Sequence, residues 1–220
     1  METITYEYDG NLYVNLTNRC DCDCVFCLRN GKQRGGGYAD DLWLEHEPSR
    51  GEILADLLTR DFSEYRELVF CGFGEPMYRA DDIFWLIDKL RRAVAVLPRV
   101  RINTNGHASL LLGRDVTPGL DARVDTVSIS LNASTAEEYV AVTRPQDGEK
   151  AWDAMLEFAK KAAAYSTVVF TVVDHGKTPE ELEACKTLAE SLGATLRVRP
   201  YLDETSTRRK SSSFEPLESE

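Results

Sequence analysis

Four of the six cysteines crowd into the run Cys20-Asp21-Cys22-Asp23-Cys24-Val25-Phe26-Cys27. Cys20, Cys24 and Cys27 form Cys-x3-Cys-x2-Cys, and Cys22 is an extra thiol inside the first gap. A structural zinc site would draw two separated pairs of ligands from two loops. Three thiolates on one loop suit an iron-sulfur cluster better, because soft sulfur ligands stabilise iron. If three cysteines hold a four-iron cluster, one iron stays open to a small molecule. A fourth bond from Cys22 would compete for that iron, so Cys22 reads as a loop thiol. Cys185 shares helical spacing with Leu182, Leu188 and Leu192 and reads as a core thiol. Cys71, at the mouth of a strand, either faces the site or simply packs. These leftover cysteines do not make a second ligand set, so one cluster is expected.

Three further short motifs follow in order: Gly72-Phe73-Gly74-Glu75-Pro76, Asn103-Thr104-Asn105-Gly106 and Ser128-Ile129-Ser130-Leu131-Asn132. Each is weak alone, but with the cysteines they resemble the radical S-adenosylmethionine (SAM) superfamily. The match includes the aromatic Phe26 before the last cysteine; Phe73 stands where the family's Gly-Gly-Glu-Pro motif has its first paired glycine. The resemblance implies a [4Fe-4S] cluster on Cys20, Cys24 and Cys27, with SAM on the open iron. It further implies reductive cleavage of SAM to a 5′-deoxyadenosyl radical that abstracts hydrogen from a small molecule or a peptide. Phe26 would frame the adenine, the backbone from Gly72 through Gly74 to Glu75 would meet the methionyl amino group, and Ser130 and Asn132 the ribose. Asn105, Ser128 and Arg199 join the expected cofactor contacts, and Arg144 would pair with the carboxylate. Within the superfamily, Thr17-Asn18-Arg19-Cys20, Phe70 to Pro76 and Val127 to Ala133 are similar to segments of the TatD-linked radical SAM proteins. Two alternatives stay open: a glycyl-radical enzyme activase and a non-catalytic metal-binding or electron-transfer protein.

The elements that must position these residues are legible from punctuation and period. Asp9-Gly10 joins two alternating segments as a hairpin, whose second strand, Leu12 to Asn18, leads into the cysteines. Ser49 and Glu52 have capping-box spacing before Ile53, Leu54, Leu57 and Leu58. Strands are expected at Leu68 to Cys71, Val100 to Asn103, Asp125 to Asn132, Thr167 to Val173 and Leu196 to Arg199. Between them lie helical patterns: Ile83, Leu86, Ile87 and Leu90; a start at Ser134 or Thr135; Trp152, Met155, Phe158 and Ala162; and Thr178-Pro179 to Gly193. This alternation predicts an α/β fold, a partial (β/α)6 TIM-like barrel of the radical SAM type with an N-terminal β-hairpin. The chain is short for a closed eight-unit barrel. Residues 1–201 would form the core domain, and residues 202–220 a flexible tail.

Strand alternation sets Leu12, Val14 and Leu16 against Tyr13, Asn15 and Thr17, and Val127, Ile129 and Leu131 against Ser128, Ser130 and Asn132. The apolar face should meet the helices and the polar face should line a ligand cavity. Arg197 and Arg199 then point inward, either to clamp a substrate carboxylate or phosphate or to pair with an interior acid such as Glu75. Asn15, Cys71 and Tyr201 are further possible substrate contacts, while His46, His107 and His175 lack ligand spacing.

Composition bounds the partners. The 220 residues carry 26 basic and 37 acidic side chains, a net charge of −11, with 43% hydrophobic residues. Such a surface disfavours nucleic acid and anionic membrane. The longest apolar stretches, such as Ser166 to Val173, are far short of the roughly 20 residues that span a bilayer. The N-terminus lacks the order of a secretory signal, so a cytoplasmic location is expected. Against this acidity, Arg29, Lys32 and Arg34 form a basic loop beside the cysteines, either a solvated loop or a docking patch for an acidic flavodoxin or ferredoxin-type electron donor.

Overall fold

Asp9 and Gly10 both take positive φ, 48° and 67°, the backbone twist that a two-residue hairpin turn requires. They join β1 (Thr5–Tyr8) to β2 (Asn11–Val14) as an antiparallel pair. The computed structural model describes residues 3–27 and 42–201. Five more strands follow: β3 (Glu67–Phe70), β4 (Arg99–Thr104), β5 (Thr126–Ser130), β6 (Thr167–Val173) and β7 (Thr195–Arg199). From β2 onward they pair in parallel and in sequence order, one beside the next, so that each crossover carries the chain the same way round. The sheet is not closed: among the described residues β7 pairs only with β6 and β1 only with β2. The result is the expected open six-stranded parallel sheet with an N-terminal hairpin.

The helices lie along the outer face: α1 (Arg50–Leu57), α2 (Ala80–Ala93), the short α3 (Ala108–Leu111), α4 (Ala136–Thr143), α5 (Glu149–Ala162) and α6 (Pro179–Ser191). The expected capping box of Ser49 with Glu52 forms on α1, and a second, Thr178 with Glu181, forms on α6. Each satisfies backbone donors that the first turn leaves without partners. The core fills the space between sheet and helices. Leu12, Val14, Leu68, Phe70, Ile102, Val127, Ile129 and Phe170 from the strands meet Ile83, Leu86, Ile87, Met155 and Phe158 from the helices. Burying a side chain of this size contributes about 1.5–3 kcal/mol. Cys185 is fully buried on α6 within this core, and burial pushes its thiol up to about 11.

One strand is shorter than its alternation suggests. β2 stops pairing at Val14, and residues 15–18 instead act as a bracket for residues 42–47. The Asn15 amide donates to the Leu42 carbonyl at 2.7 Å, and Asn18 exchanges two bonds with the Leu44 backbone at 2.7 and 3.1 Å. Thr17 donates to Glu47, which also takes the Arg19 guanidinium at 2.7 Å. Asn15 is therefore a buried structural residue and not a wall of either cavity described below, which corrects its reading as a substrate contact. β7 departs in another way: Val198 is exposed, and among the described residues no further strand lies beside it. Among the described residues no helix is long and apolar enough to cross a membrane.

Candidate functional site: the cysteine loop and the lumen

The cysteine loop leaves the C-terminal end of β2 and is held by the far end of α4. The Asp23 amide donates to the Thr143 carbonyl at 3.1 Å, Val25 to Val142 at 3.0 Å, and Gln146 back to Asp21 at 2.9 Å. Arg144 makes this possible by ending α4 in the left-handed region, with φ 47°. Cys20, Cys24 and Cys27 are half-buried at the rim, whereas Cys22 is buried. Asn105 donates to the Cys22 sulfur at 3.6 Å, and the His107 ring lies 3.9 Å away. Hydrogen bonding with Cys20 and Cys24, and then burial, push the Cys22 thiol well above the ordinary cysteine range.

Beside Cys22, Asp21 is the centre of a buried polar cluster. Its carboxylate takes the Asn105 amide at 2.6 Å and His107 Nδ1 at 2.6 Å, and His107 Nε2 meets the Tyr139 hydroxyl at 2.7 Å. Burial alone would raise Asp21, but His107 and Asn105 together hold it below the usual carboxylate range. Asn105 and His107 sit just after β4, so this cluster ties the cysteine loop to the neighbouring strand end and, through Tyr139, to α4. The role of His107 is not visible in the sequence, because its partners are distant in the chain. Its Asn-Gly-His context carries no ligand spacing.

The Gly72-Phe73-Gly74-Glu75 segment presses on the same loop. A Cβ on Gly74 would lie 2.2 Å from the Thr17 carbonyl oxygen and 2.6 Å from that of Arg19. One on Gly72 would lie 2.0 Å from Asn15 Oδ1. The glycines thus let the backbone after β3 touch the residues that precede Cys20, and the Glu75 amide donates to the Arg19 carbonyl at 2.7 Å. The buried Glu75 side chain turns the other way and accepts from Thr104 Oγ1 at 2.7 Å and the Asn105 amide at 2.7 Å. A third bond comes from the Met77 amide at 3.0 Å.

Burial pushes the Glu75 carboxyl from 4.5 up to about 7, against the pull of these three donors. A raised carboxyl pKa means that the folded chain binds the extra proton. The Glu75 contribution is therefore fully present below about pH 4.5 and is lost as the pH rises through about 7, a weakening of roughly 3 kcal/mol. Urea midpoints of the parent and Glu75→Gln, compared between pH 4.5 and 8, should show that loss in the parent and not in the variant. Parallel pH curves would contradict it.

Two connected cavities occupy the lumen. The upper one, about 210 Å³, is lined by Phe26, Gly72, Ser130, Asn132 and Arg199, together with Thr171 and Tyr201. It thus gathers five of the expected cofactor contacts at the C-terminal strand ends beside the cysteine loop, the end of parallel α/β barrels where ligands bind. The apolar cluster of Tyr6, Leu42 and Phe73 closes one side. Asn132 takes positive φ, 55°, and its side chain accepts from the Val173 amide at 3.3 Å. The lower cavity, about 580 Å³, shares Tyr6, Cys71, Arg199 and Pro200 with the upper one. Cys71 lines both, and burial pushes its thiol above the ordinary range. Ser128, Gly74, Asn105 and Glu75 do not reach the upper cavity wall. Ser128 is buried on the inward face of β5, and the other three brace the cysteine loop. Arg144 lies outside the cavity with its guanidinium 3.9 Å from Asp23. Arg197 and Arg199, both exposed, line the lower cavity from β7 and do not pair with Glu75. The basic loop Arg29, Lys32 and Arg34 lies outside the described residues, as does the segment 202–220.

The family model described as the radical SAM superfamily matches residues 14–189, more than half of the chain. This chain belongs to the radical SAM superfamily. Its relatives include a GTP 3′,8-cyclase of Pelotomaculum thermopropionicum, 27% identical over 89% of this chain and 56% of that protein. Another is the mycofactocin maturase MftC of Mycobacterium tuberculosis, 31% identical over 83% of this chain and 42% of that one. The chain thus spans about half the length of the curated relatives it matches. Among solved structures, SuiB of Streptococcus suis bound to S-adenosylmethionine superposes with a TM-score of 0.60 at 16% identity, covering 86% of this chain and 38% of that one. That likeness speaks for the shared fold.

The cofactors of the radical SAM superfamily are a [4Fe-4S] cluster and SAM. The donor set of this chain fits them. Three half-buried thiols stand at the rim at the spacing of the family motif, and the fourth, Cys22, is drawn inward against Asn105 and His107. Donor atoms of Cys20, Asp21 and Cys22 also lie within 4.8 Å of one another. Asp21, however, already spends its oxygens on Asn105 and His107, which leaves the thiols as the soft ligands.

Proposed function

We propose that this chain is a radical SAM enzyme in which Cys20, Cys24 and Cys27 hold the cluster and the upper cavity holds SAM. The reading is carried by one observation: Phe26, Gly72, Ser130 and Asn132 line a single cavity next to the cysteine loop. When bound, the cluster and SAM supply reductive cleavage of SAM to a 5′-deoxyadenosyl radical that abstracts hydrogen from substrate. The protein supplies binding, orientation and exclusion of water.

Phe26 frames the adenine, Ser130 and the left-handed Asn132 meet the ribose, and the backbone at Gly72 accepts the methionyl amino group. Arg144, exposed beside the loop, pairs with the methionyl carboxylate. Tyr6, Leu42 and Phe73 keep water from the reacting carbon. A substrate enters from the lower cavity, past Cys71. The printed names of the relatives, a GTP cyclase and a peptide-cofactor maturase, support either a small molecule or a peptide as substrate. The finer resemblance to TatD-linked radical SAM proteins belongs to the same proposal. Electrons come from a flavodoxin or ferredoxin-type donor, met by Arg29, Lys32 and Arg34.

Anaerobically reconstituted protein, incubated with SAM and dithionite, should release 5′-deoxyadenosine and methionine. No 5′-deoxyadenosine from protein that carries its full iron content would remove the reading.

A further inference from the structure

The lower cavity has a charge pattern that the SAM contacts proposed above, through Phe26, Gly72, Ser130, Asn132 and Arg144, do not use, although Arg199 borders both cavities. Arg101, Arg197 and Arg199 all line it, from β4 and from the open-edge strand β7. Arg101 is the buried member. Its Nε donates to Glu67 at 2.9 Å and its Nη1 to Asn103 at 2.9 Å, which fixes the guanidinium and leaves its Nη2 edge to spare. Arg197 and Arg199 are two residues apart on one face of β7. Neither makes an ion pair among the described residues, although exposed acids abound in this chain. Burial, and then the like charges of Arg101 and Arg199, make the Arg197 guanidinium harder to keep charged. Asp9, on the cavity rim, is taken up by Arg66 at 3.4 Å. Three guanidinium groups therefore face one carboxylate, Glu67, inside a chain whose overall charge is −11.

Lumen arginines that only held the barrel together would be paired, as Arg101 is. Two guanidinium groups that have no ion pair among the described residues, set beside a third, repel each other, and a concave wall focuses their field on whatever enters. Planar forks converging from two strands match the geometry of phosphate or carboxylate oxygens.

We propose that the lower cavity binds a doubly charged oxyanion group of the substrate, a phosphate ester or a dicarboxylate, between Arg101, Arg197 and Arg199. That the ligand is the substrate rests on the radical SAM reading; that the cavity binds such an anion does not. The shared residues Cys71 and Arg199 join this cavity to the one above it. An anion anchored below would leave the rest of the molecule pointing toward the upper cavity beside the cysteine loop, past Asn103 and Cys71. The class of substrate is thus one with its anionic end at some remove from the hydrogen to be abstracted.

The test titrates reconstituted holoenzyme, with SAM present, with phenyl phosphate and with succinate by calorimetry. At least one probe should saturate at one site per chain. Saturation by phenyl phosphate alone identifies a phosphate ester, and by succinate alone a dicarboxylate. Arg197→Gln and Arg199→Gln should each weaken that probe roughly tenfold or more, the loss expected for a charged hydrogen bond. Arg197→Lys, which keeps the charge without the fork, should fall between. Arg91→Gln, on the separate arginine-rich surface with Arg99 and Arg123 at the opposite strand ends, should bind as the parent does. The proposal is overturned if neither probe saturates, if Arg197→Lys and Arg197→Gln both bind like the parent, or if the loss follows Arg91→Gln. The same parent preparation is assayed for 5′-deoxyadenosine. Anion binding without SAM cleavage removes the enzyme reading and keeps the site; cleavage without anion binding does the reverse.

Discussion

Serine at Cys20, Cys24 or Cys27 is expected to take the iron content of anaerobically reconstituted protein from about four per chain to near none, while Cys22→Ser keeps it. A cluster held by three thiolates has no spare ligand, and a serine oxygen is a hard donor that suits iron poorly in this setting. Cys22 differs from its neighbours in position rather than in kind. It is 6% exposed and, besides its contacts with Cys20 and Cys24, is engaged by Asn105 and His107 on its inner side. The measurement is iron and sulfide per chain together with the visible absorption of the cluster. If Cys22→Ser loses iron as completely as Cys24→Ser, Cys22 belongs to the ligand set. Eight irons per parent chain would show a second cluster.

Gly74→Ala should cost about 3 kcal/mol and prevent stable cluster loading, although the added group is a single methyl. The three atoms nearest the new Cβ would all be backbone: the Thr17 carbonyl oxygen at 2.2 Å, the Arg19 oxygen at 2.6 Å and the Thr17 carbonyl carbon at 2.8 Å. A flexible side chain could swing aside, but here the segment leading to Cys20 must move. Overpacking of this kind costs about 1–3 kcal/mol and occasionally more. Gly51, on the first turn of α1, is the control, since its Cβ would meet nothing nearer than Ser49 Oγ at 3.8 Å. Gly51→Ala should be neutral or stabilise slightly. Urea midpoints and iron content of the two variants decide the matter, and a Gly74→Ala midpoint equal to the parent's would refute the close approach.

Much of the fold was legible because local signals agreed with the global one. Asp9-Gly10, the Ser49 and Thr178 caps and the α5 periodicity of Trp152, Met155, Phe158 and Ala162 each act within a few residues. The cysteine spacing and the Gly-Phe-Gly-Glu segment were legible in the same way. What stayed hidden depends on partners far apart in the chain. Nothing local distinguishes His107 from a loop histidine, since Asp21 and Tyr139 reach it only after the sheet has formed. Asn15 has the inward polar parity of a cavity residue, yet Leu42 captures its side chain. Arg101 is equally hidden, because one charged residue between Val100 and Ile102 does not announce a lumen until the fold brings it to the same cavity as Arg197 and Arg199.

The backbone bonds from Asp23 to Thr143 and from Val25 to Val142 bear on assembly as well as on geometry. They join residues more than half the chain length apart, across four parallel strands that must first be laid side by side. Contacts of such long sequence separation form late, because the closure entropy of everything between them must be met beforehand. The metal-binding loop is thus among the last parts of the barrel to take its shape. The exposed stretch of that loop, Asp23 to Val25, lies beyond the buried Asp21 cluster and is held by backbone bonds alone, so it should also be among the first to open. Cluster insertion then has a window in which the thiols are reachable while the scaffold is already built. Amide exchange at Asp23 and Val25 should be faster than at β4 and β5 in the metal-free chain, and slow once iron and sulfide have been added.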